Sequence, residues 1–378
     1  MTNRGRIMTF LAIVLSVWSA MHLYVVSRLW NLPTVPGPLW HHTVAIAAVL
    51  LWLNVPLGRW LARSVGRIAV PIELVGSTWI GVLFLLSVCL LAADLATGFG
   101  YLLPAGSRIA RALAVWAAAS LSLLALVQGL RSPEVRRHTV AVRGLRPELS
   151  GLRLVQLSDL HIGPLLRGRW IRARLAQVAA LRPDLVVVTG DLVDQDAGLV
   201  DALVPALRRL HAPLGVWGVT GNHEFYAGLD RSVRVFEGAG IRLLRDAATE
   251  VAPGLVLAGV DDLTARRQFG SYDHAVDRTL ARRPPGTTVF LSHSPWQVER
   301  AAALGVDLML SGHTHSGQIW PFAYLVRLTY PYVAGRFGVN GMTLIVSRGT
   351  GFWGPPMRLF QRAEVTLVTL EAGREGPP

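Results

Sequence analysis

The chain has 378 residues, room for more than one domain at roughly 150 residues each. An apolar content of 52% is high for a soluble enzyme, and the single cysteine, Cys89, excludes an intrachain disulfide. The net charge of +13 is built without lysine: eight arginines against two acids up to Leu130, then 29 against 22. The surplus of seven beyond Leu130 suits anionic lipid, a phosphorylated substrate or nucleic acid.

Four apolar stretches open the chain, at residues 7–26, 39–58, 71–93 and 110–130. Each approaches the roughly 20 residues that a helix needs to cross a bilayer. A cleaved signal peptide would account for the first stretch alone, so residues 1–132 read as an all-α transmembrane region of about four helices. Arg4 and Arg6, then Arg59, Arg63 and Arg67, then Arg131, Arg136 and Arg137 flank the helices on one side. The other side has Arg28, and Arg108 and Arg111 near Asp94. The positive-inside rule then predicts a multi-pass protein of the inner or plasma membrane, with both termini and the C-terminal part in the cytoplasm. The stretches hold no polar pathway, which argues against transport.

After residue 132 the pattern shortens. "LRLVQLSDLH", "DLVVVTGDL", "LGVWGVTGNH", "GLVLAGVDD", "TTVFLSHS" and "DLMLSGHTH" are each a buried-strand run that ends in polar residues. Helical patterns fall between several of them, at 169–181, 199–211, 273–282 and 295–304. Strands alternating with helices predict an α/β domain with both faces of its sheet covered, and chemistry gathers beyond the carboxyl ends of such strands. The tail "AGREGPP" reads as frayed.

Five polar clusters fall at those strand ends: Asp159 with His161, Asp191 with Asp194, Asn222 with His223, His293, and His313 with His315. His313 and His315 stand one residue apart, so in an extended segment both imidazoles point to one side. Any one cluster alone is more economically a turn or a helix cap. Five in succession, each after an apolar run, are not. Carboxylate, imidazole and amide oxygen without cysteine suit Mn, Fe, Zn or a similar divalent ion rather than a structural zinc knot. Seven ligands exceed what one ion needs but match two ions that share a carboxylate, with positions left for water and substrate. His22, His41, His42, His138, His211 and His274 have no such company.

The order D-x-H, G-D-x-x-D, G-N-H-E, H, G-H-x-H resembles the calcineurin-like metallophosphoesterases. The resemblance covers residues 139–370 and implies a four-layer αββα sandwich over residues 138–371, with a dinuclear metal centre at the strand ends. By position it implies that Asp159, His161 and His315 hold one divalent ion. Asn222, His293 and His313 would hold the other, and Asp191 would bridge. His223 matches the family's non-ligand histidine, a proton donor or transition-state contact, and Asp194 the acid that orients it. One departure is Ser316, where membrane-associated relatives usually have glycine. The implied chemistry is attack on phosphorus by metal-bound hydroxide, assisted by His223.

The membrane helices point to a lipid or lipid-linked phosphodiester, pyrophosphate or phosphomonoester. The arrangement is similar to the membrane-anchored branch of the family, which includes phosphodiesterase-like proteins and a UDP-diacylglucosamine pyrophosphatase. "SRGTGFWGPPMRLF" (347–360) is a candidate cleft rim: Arg348 and Arg358 could meet phosphate while Phe352 and Trp353 face acyl chains, a packed strand-loop being the alternative. A nucleotide or nucleic-acid phosphodiesterase shares the centre, but no basic stripe with interleaved aromatics marks a nucleic-acid partner. A non-catalytic metal-binding scaffold is the third possibility, and the complete ligand set with the His223–Asp194 pair argues against it.

Overall fold

The computed structural model describes residues 3–32, 38–65, 70–163, 165–166, 168–194, 200–270 and 274–373. It separates into two compact units: Met1–Arg131 with Gly354–Phe360, and Ser132–Trp353 with Gln361–Pro378.

The first unit holds α1 (Asn3–Trp30), α2 (Pro38–Val65), α3 (Val70–Ala96) and α4 (Pro104–Leu130). Each helix is 27 or 28 residues long, about 40 Å at 1.5 Å per residue. All four are long and apolar enough to cross a membrane. They extend past the expected apolar stretches because helix continues into the polar flanks. Val25, Leu83, Leu90 and Ala118 form an interior shared by α1, α3 and α4, where small residues let helices approach closely.

Two polar clusters inside this unit satisfy their own members. Asp94 is fully buried and accepts from Arg28 Nε at 2.6 Å, Arg111 Nε at 2.7 Å and the Tyr24 hydroxyl at 2.9 Å. His22 lies 2.9 Å from the Trp18 carbonyl through Nδ1 and receives Trp79 Nε1 on Nε2 at 2.8 Å. Two of the arginines weighed for orientation thus share one carboxylate; Arg67 lies outside the described residues. The stretch Gly354–Phe360 rides on α4: Arg358 N–H donates to the Ala125 carbonyl and Phe360 N–H to Gln128 Oε1, each at 2.8 Å. A Cβ on Gly129 would sit 2.5 Å from the Pro356 oxygen, so this contact requires glycine.

The second unit contains β1 (Glu134–Val142), β2 (Leu152–Leu157), β3 (Leu185–Thr189), β4 (Val216–Val219), β5 (Arg242–Leu243) and β6 (Ala247–Ala252). It continues with β7 (Leu255–Gly259), β8 (Thr287–Leu291), β9 (Leu308–Ser311), β10 (Gly335–Val339), β11 (Met342–Val346) and β12 (Glu364–Ala372). One sheet runs β1-β12-β2-β3-β4-β5 and the other β10-β11-β9-β8-β7-β6. The centres β2-β3-β4 and β7-β8-β9 are parallel, and their apolar runs are buried on both faces, as parallel strands demand.

Leu154, Val187, Leu257, Val289, Leu310 and Val368 fill the space between the sheets. Helices α5 (Gly168–Ala180) and α8 (Leu229–Gly238) cover the first sheet through Ile171, Val178, Val235 and Phe236. Helices α10 (Ala275–Ala281) and α11 (Val298–Ala303) cover the second through Val276, Leu280, Val298 and Ala301. The result is a four-layer αββα sandwich.

All six expected strands form, as β2, β3, β4, β7, β8 and β9. The helix expected over 199–211 is instead a 3-10 turn at Asp201–Leu203 followed by the single turn α6 (Val204–Leu207). Pro205 accounts for the break, because a proline is tolerated only in a helix's first turn. Leu199, Asp273 and the last five residues of the tail lie outside the described residues.

Candidate metal centre

The loops that leave β2, β3, β4, β8 and β9 at their carboxyl ends bring all seven expected ligands together. On one side His161 Nε2 is 3.1 Å from His315 Nε2, which is 3.3 Å from Asp159 Oδ1. On the other, His293 Nε2 is 3.2 Å from both Asn222 Oδ1 and His313 Nδ1. Asp191 stands between them, with Oδ2 at 3.1 Å from His293 Nε2 and 3.7 Å from His161 Nε2. Asp159–His161–His315 and Asp191–His293–His313 are each compact enough to hold a metal ion.

Backbone geometry makes this convergence possible. Asp159, His161, Asp191, His313 and His315 have φ of 54°, 43°, 51°, 71° and 49°, a region sparsely populated by residues other than glycine and concentrated at functional sites. Glycines supply the clearance. A Cβ on Gly312 would lie 1.9 Å from Ser158 Oγ, and one on Gly221 would lie 2.2 Å from Asp191 Oδ1. Ser316 itself has a φ of 55°, which explains why glycine suits that position, and its hydroxyl donates to Gln361 Oε1 at 2.9 Å.

The donor chemistry tests whether a cation fits. His293 Nδ1 is 2.8 Å from the Thr189 carbonyl, which can only accept. Nδ1 therefore carries the proton, and Nε2 presents a lone pair to a carboxylate oxygen, an amide oxygen and a second imidazole, that of His313. Acceptors facing acceptors in a buried site are costly unless a proton or a cation lies among them. Burial opposes charge on His293, yet the carboxylates of Asp191, Asp159 and Asp262 outweigh it and raise its pKa well above the usual value. A bound cation takes the place of that proton. Burial and the neighbouring His293 hold His313 down at about 3, so it stays a neutral ligand. Burial works against Asp191 ionising, but His293 and His223 keep it well below the carboxylate range. The site fits divalent cations.

His223 stands beside the ligands without joining them. Its Nδ1 donates to the Asp194 carbonyl at 2.7 Å and lies 3.4 Å from Asp194 Oδ1. Burial opposes its charge, but Asp191 and Asp194 prevail and raise its pKa to about 9. Asp194 Oδ1 also lies 3.5 Å from His161 Nδ1, a contact the sequence did not suggest. The rings of Tyr226 and Trp353 approach His223 edge-on at 5.4 and 6.1 Å.

The three rim expectations separate. Trp353 is exposed, and its backbone is held from both sides by the Gln318 amide at 3.0 Å. Arg348 is instead engaged by Glu134 at 3.7 Å and Glu364 at 3.8 Å, tying β1 to β12. Arg358 is completely buried in the helical unit, so its guanidinium is not offered to an entering phosphate. Phe352 is likewise buried. The expected rim cations are structural, because acids on β1 and β12 claim one and packing on α4 the other.

Two contributors escaped the sequence reading. Glu224, fully buried, accepts from the backbone N–H groups of Asp191 and Val193 at 3.0 Å and of Gly221 at 2.6 Å. It thereby staples the β3 and β4 loops; its signal was an acid in the first turn of α7 (Asn222–Tyr226), three residues after Gly221. Tyr330 places its hydroxyl 2.7 Å from His313 Nε2, and nothing in the sequence pattern marks it.

A sandwich of this layering, with seven nitrogen and oxygen donors at its strand ends, is the make-up of a metal-dependent hydrolase. The model of the calcineurin-like phosphoesterase family matches residues 152–317. Over 242 residues the chain is 36% identical to an uncharacterized metallophosphoesterase of Aquifex aeolicus, covering 63% of this chain and 91% of that one. Over 277 residues it is 35% identical to the transmembrane protein with metallophosphoesterase domain of Bos taurus, covering 69% of this chain and 62% of that relative. The Bacillus subtilis metallophosphoesterase YkuE is 29% identical over 252 residues, with 63% and 86% covered. The chain belongs to the calcineurin-like metallophosphoesterases. Members of that family hydrolyse phosphate esters with two divalent metals, and this chain carries membrane-length helices ahead of its sandwich unit.

Proposed function

We propose that this protein is a membrane-anchored phosphoesterase that hydrolyses a phosphodiester, pyrophosphate or phosphomonoester bond of a lipid or lipid-linked substrate on the cytoplasmic side. The observation that carries the reading is the set of buried acceptor atoms facing one another beneath an exposed aromatic rim, in a chain with four membrane-length helices.

In this reading Asp159, His161 and His315 would hold one divalent cation and Asn222, His293 and His313 the other, with Asp191 available to both. When bound, the cations supply Lewis acidity: they acidify water at neutral pH and neutralise phosphoryl oxygens. The protein's own groups do the rest. Glu224 fixes the loops that carry Asp191 and Asn222. Asp194 holds His223 through Nδ1 and leaves Nε2 as the nitrogen that can pass a proton to the leaving oxygen. The carboxylates around His223 keep it protonated at neutral pH, the form such a donor needs. Tyr226 and Trp353 wall that side of the site and give it apolar surface beside the reacting phosphate.

The test is full-length protein in lipid nanodiscs with Mn, assayed on bis-p-nitrophenyl phosphate and then on a membrane lipid extract. Turnover of the chromogenic ester that disappears with a chelator and returns with metal is expected, together with loss of one or more phospholipid species. Consumption of soluble nucleotides with every lipid untouched would sink the lipid assignment.

A further inference from the structure

Between the metal-ligand loop and β10 the chain makes an excursion that touches the site only at its two ends. Residues 320–330, "WPFAYLVRLTY", leave directly after His315 and Gly317 and carry the short helix α12 (Ala323–Arg327). Both ends are fastened to the centre. Gly317 packs so tightly on the start of α12 that a Cβ there would meet the Ala323 nitrogen at 2.4 Å. At the far end the Tyr330 hydroxyl meets His313 Nε2 at 2.7 Å.

Between these anchors the apolar side chains face outward. Leu328 is 83% exposed, Tyr324 58% and Leu325 55%, and Trp353 on the neighbouring rim is 51% exposed. Isolated exposed leucines are ordinary; a contiguous apolar lip beside a catalytic centre marks a contact surface. Its charge indicates what it contacts. From Leu308 to Val346 the chain holds two arginines, Arg327 and Arg336, and not one carboxylate. Arg327 sits among the apolar residues, its guanidinium 5.9 Å from the Tyr324 ring centre. Aromatic and aliphatic side chains with interspersed cations are the make-up of segments that settle at the boundary between headgroups and acyl chains, and anionic lipid attracts the cations. The tether to the membrane-length helices is short in sequence: only Arg131, Ser132 and Pro133 separate α4 from β1.

We infer that the Tyr324–Leu328 lip inserts into the interfacial layer of an anionic phospholipid bilayer and brings the metal centre to the membrane surface. This deepens the proposed function and rests on its membrane-anchored reading, but not on which ester is cleaved. Because Tyr330 links the base of the lip to His313, the surface that meets lipid and the ligand that meets metal are one short segment apart.

The test uses the full chain reconstituted in vesicles of phosphatidylcholine with phosphatidylglycerol. In a Cys89→Ser background, Leu328→Cys carries a polarity-sensitive fluorophore, and Arg282→Cys, exposed elsewhere on the catalytic unit, carries the control. The label at 328 is expected to shift to the blue and to be quenched severalfold more by doxyl-labelled lipid than the control, less so in phosphatidylcholine alone. The double change Leu325→Glu and Leu328→Glu should cut quenching of a label at Tyr324→Cys by more than about tenfold, since one buried leucine alone is worth roughly that in partitioning. It should leave hydrolysis of bis-p-nitrophenyl phosphate intact. A label at 328 quenched no more than the control overturns the inference whatever the enzyme hydrolyses. So does a blue shift without quenching that depends on protein concentration, because a second copy of the chain would then cover the lip. Normal quenching with no hydrolysis of any ester would instead count against the proposed function alone.

Discussion

Both units bury charge, and they treat it in opposite ways. In the helical unit Asp94 is surrounded by donors, Arg28, Arg111 and Tyr24, and His22 gives one proton and receives another. In the catalytic unit Asp191, Asn222, His293 and His313 turn acceptors toward acceptors. A buried polar group that its neighbours satisfy has finished its work once the chain is folded. A buried group facing its own kind is built for something that arrives later. The difference separates a structural cluster from a binding centre without appeal to where in the chain each occurs.

The same substitution in the two clusters should therefore fail in two ways. Asp191→Asn removes the carboxylate that both halves of the centre share. Turnover should fall by more than the about 10–100-fold that loss of an outer partner of a ligand costs, and metal content by elemental analysis should drop below two equivalents. The fold should survive. Two full equivalents with undiminished turnover would break the comparison on the catalytic side.

Asp94→Asn acts on the other side. It leaves the half-buried Arg28 and Arg111 without a counter-charge, and since removing one partner of a fully buried pair costs about 3–5 kcal/mol, a loss toward about 3 kcal/mol is expected here. Thermal unfolding of the helical unit in detergent should move down accordingly, while metal affinity stays as in the wild type. Unchanged unfolding would mean that the cluster is not structural.

How much of this was legible beforehand follows from the same physics. The strands β2, β3, β4, β7, β8 and β9 read clearly because parallel strands buried on both faces become unbroken apolar runs. The nine residues at their ends read clearly because those runs stop at carboxylates, imidazoles and an amide. The edge strands did not read: β1, "EVRRHTVAV", and β10, "GRFGV", are half exposed and mix charges or glycines into the run. Arg348 and Arg358 were misread because a basic residue near a candidate cleft looks alike whether its partner is a phosphate or an internal group. Glu364, sixteen residues on from Arg348, and the packing on α4 are tertiary facts. Tyr330 shows the limit most plainly: its bearing on His313 depends on how α12 folds back, which no local pattern encodes.

Smaller effects sharpen the catalytic half. His223→Ala should retain both metals and lose about 10²–10⁴-fold in turnover on alkyl phosphoesters, the span of a positioned acid. It should lose far less on p-nitrophenyl esters, whose leaving group needs no proton. Equal losses on both substrate classes would remove His223 from proton transfer. Tyr330→Phe deletes only the hydroxyl that meets His313 Nε2, and the centre should weaken in metal affinity by about tenfold, the low end for an outer partner. Competition with a fluorescent chelator measures it.

The smallest expected change is Ser316→Gly. Serine at φ 55° is held in a conformation that glycine adopts freely, so the substitution relieves strain of about 1 kcal/mol. It also deletes the hydrogen bond to Gln361, which is worth about the same. The two cancel to within about 1 kcal/mol, so the unfolding midpoint should hardly move, and ligation by His315 next door should not change. Ser316→Ala separates the contributions, because it keeps the strain and loses the hydrogen bond. That variant should be the less stable of the two, and if it is not, the left-handed backbone at this corner of the centre carries no strain.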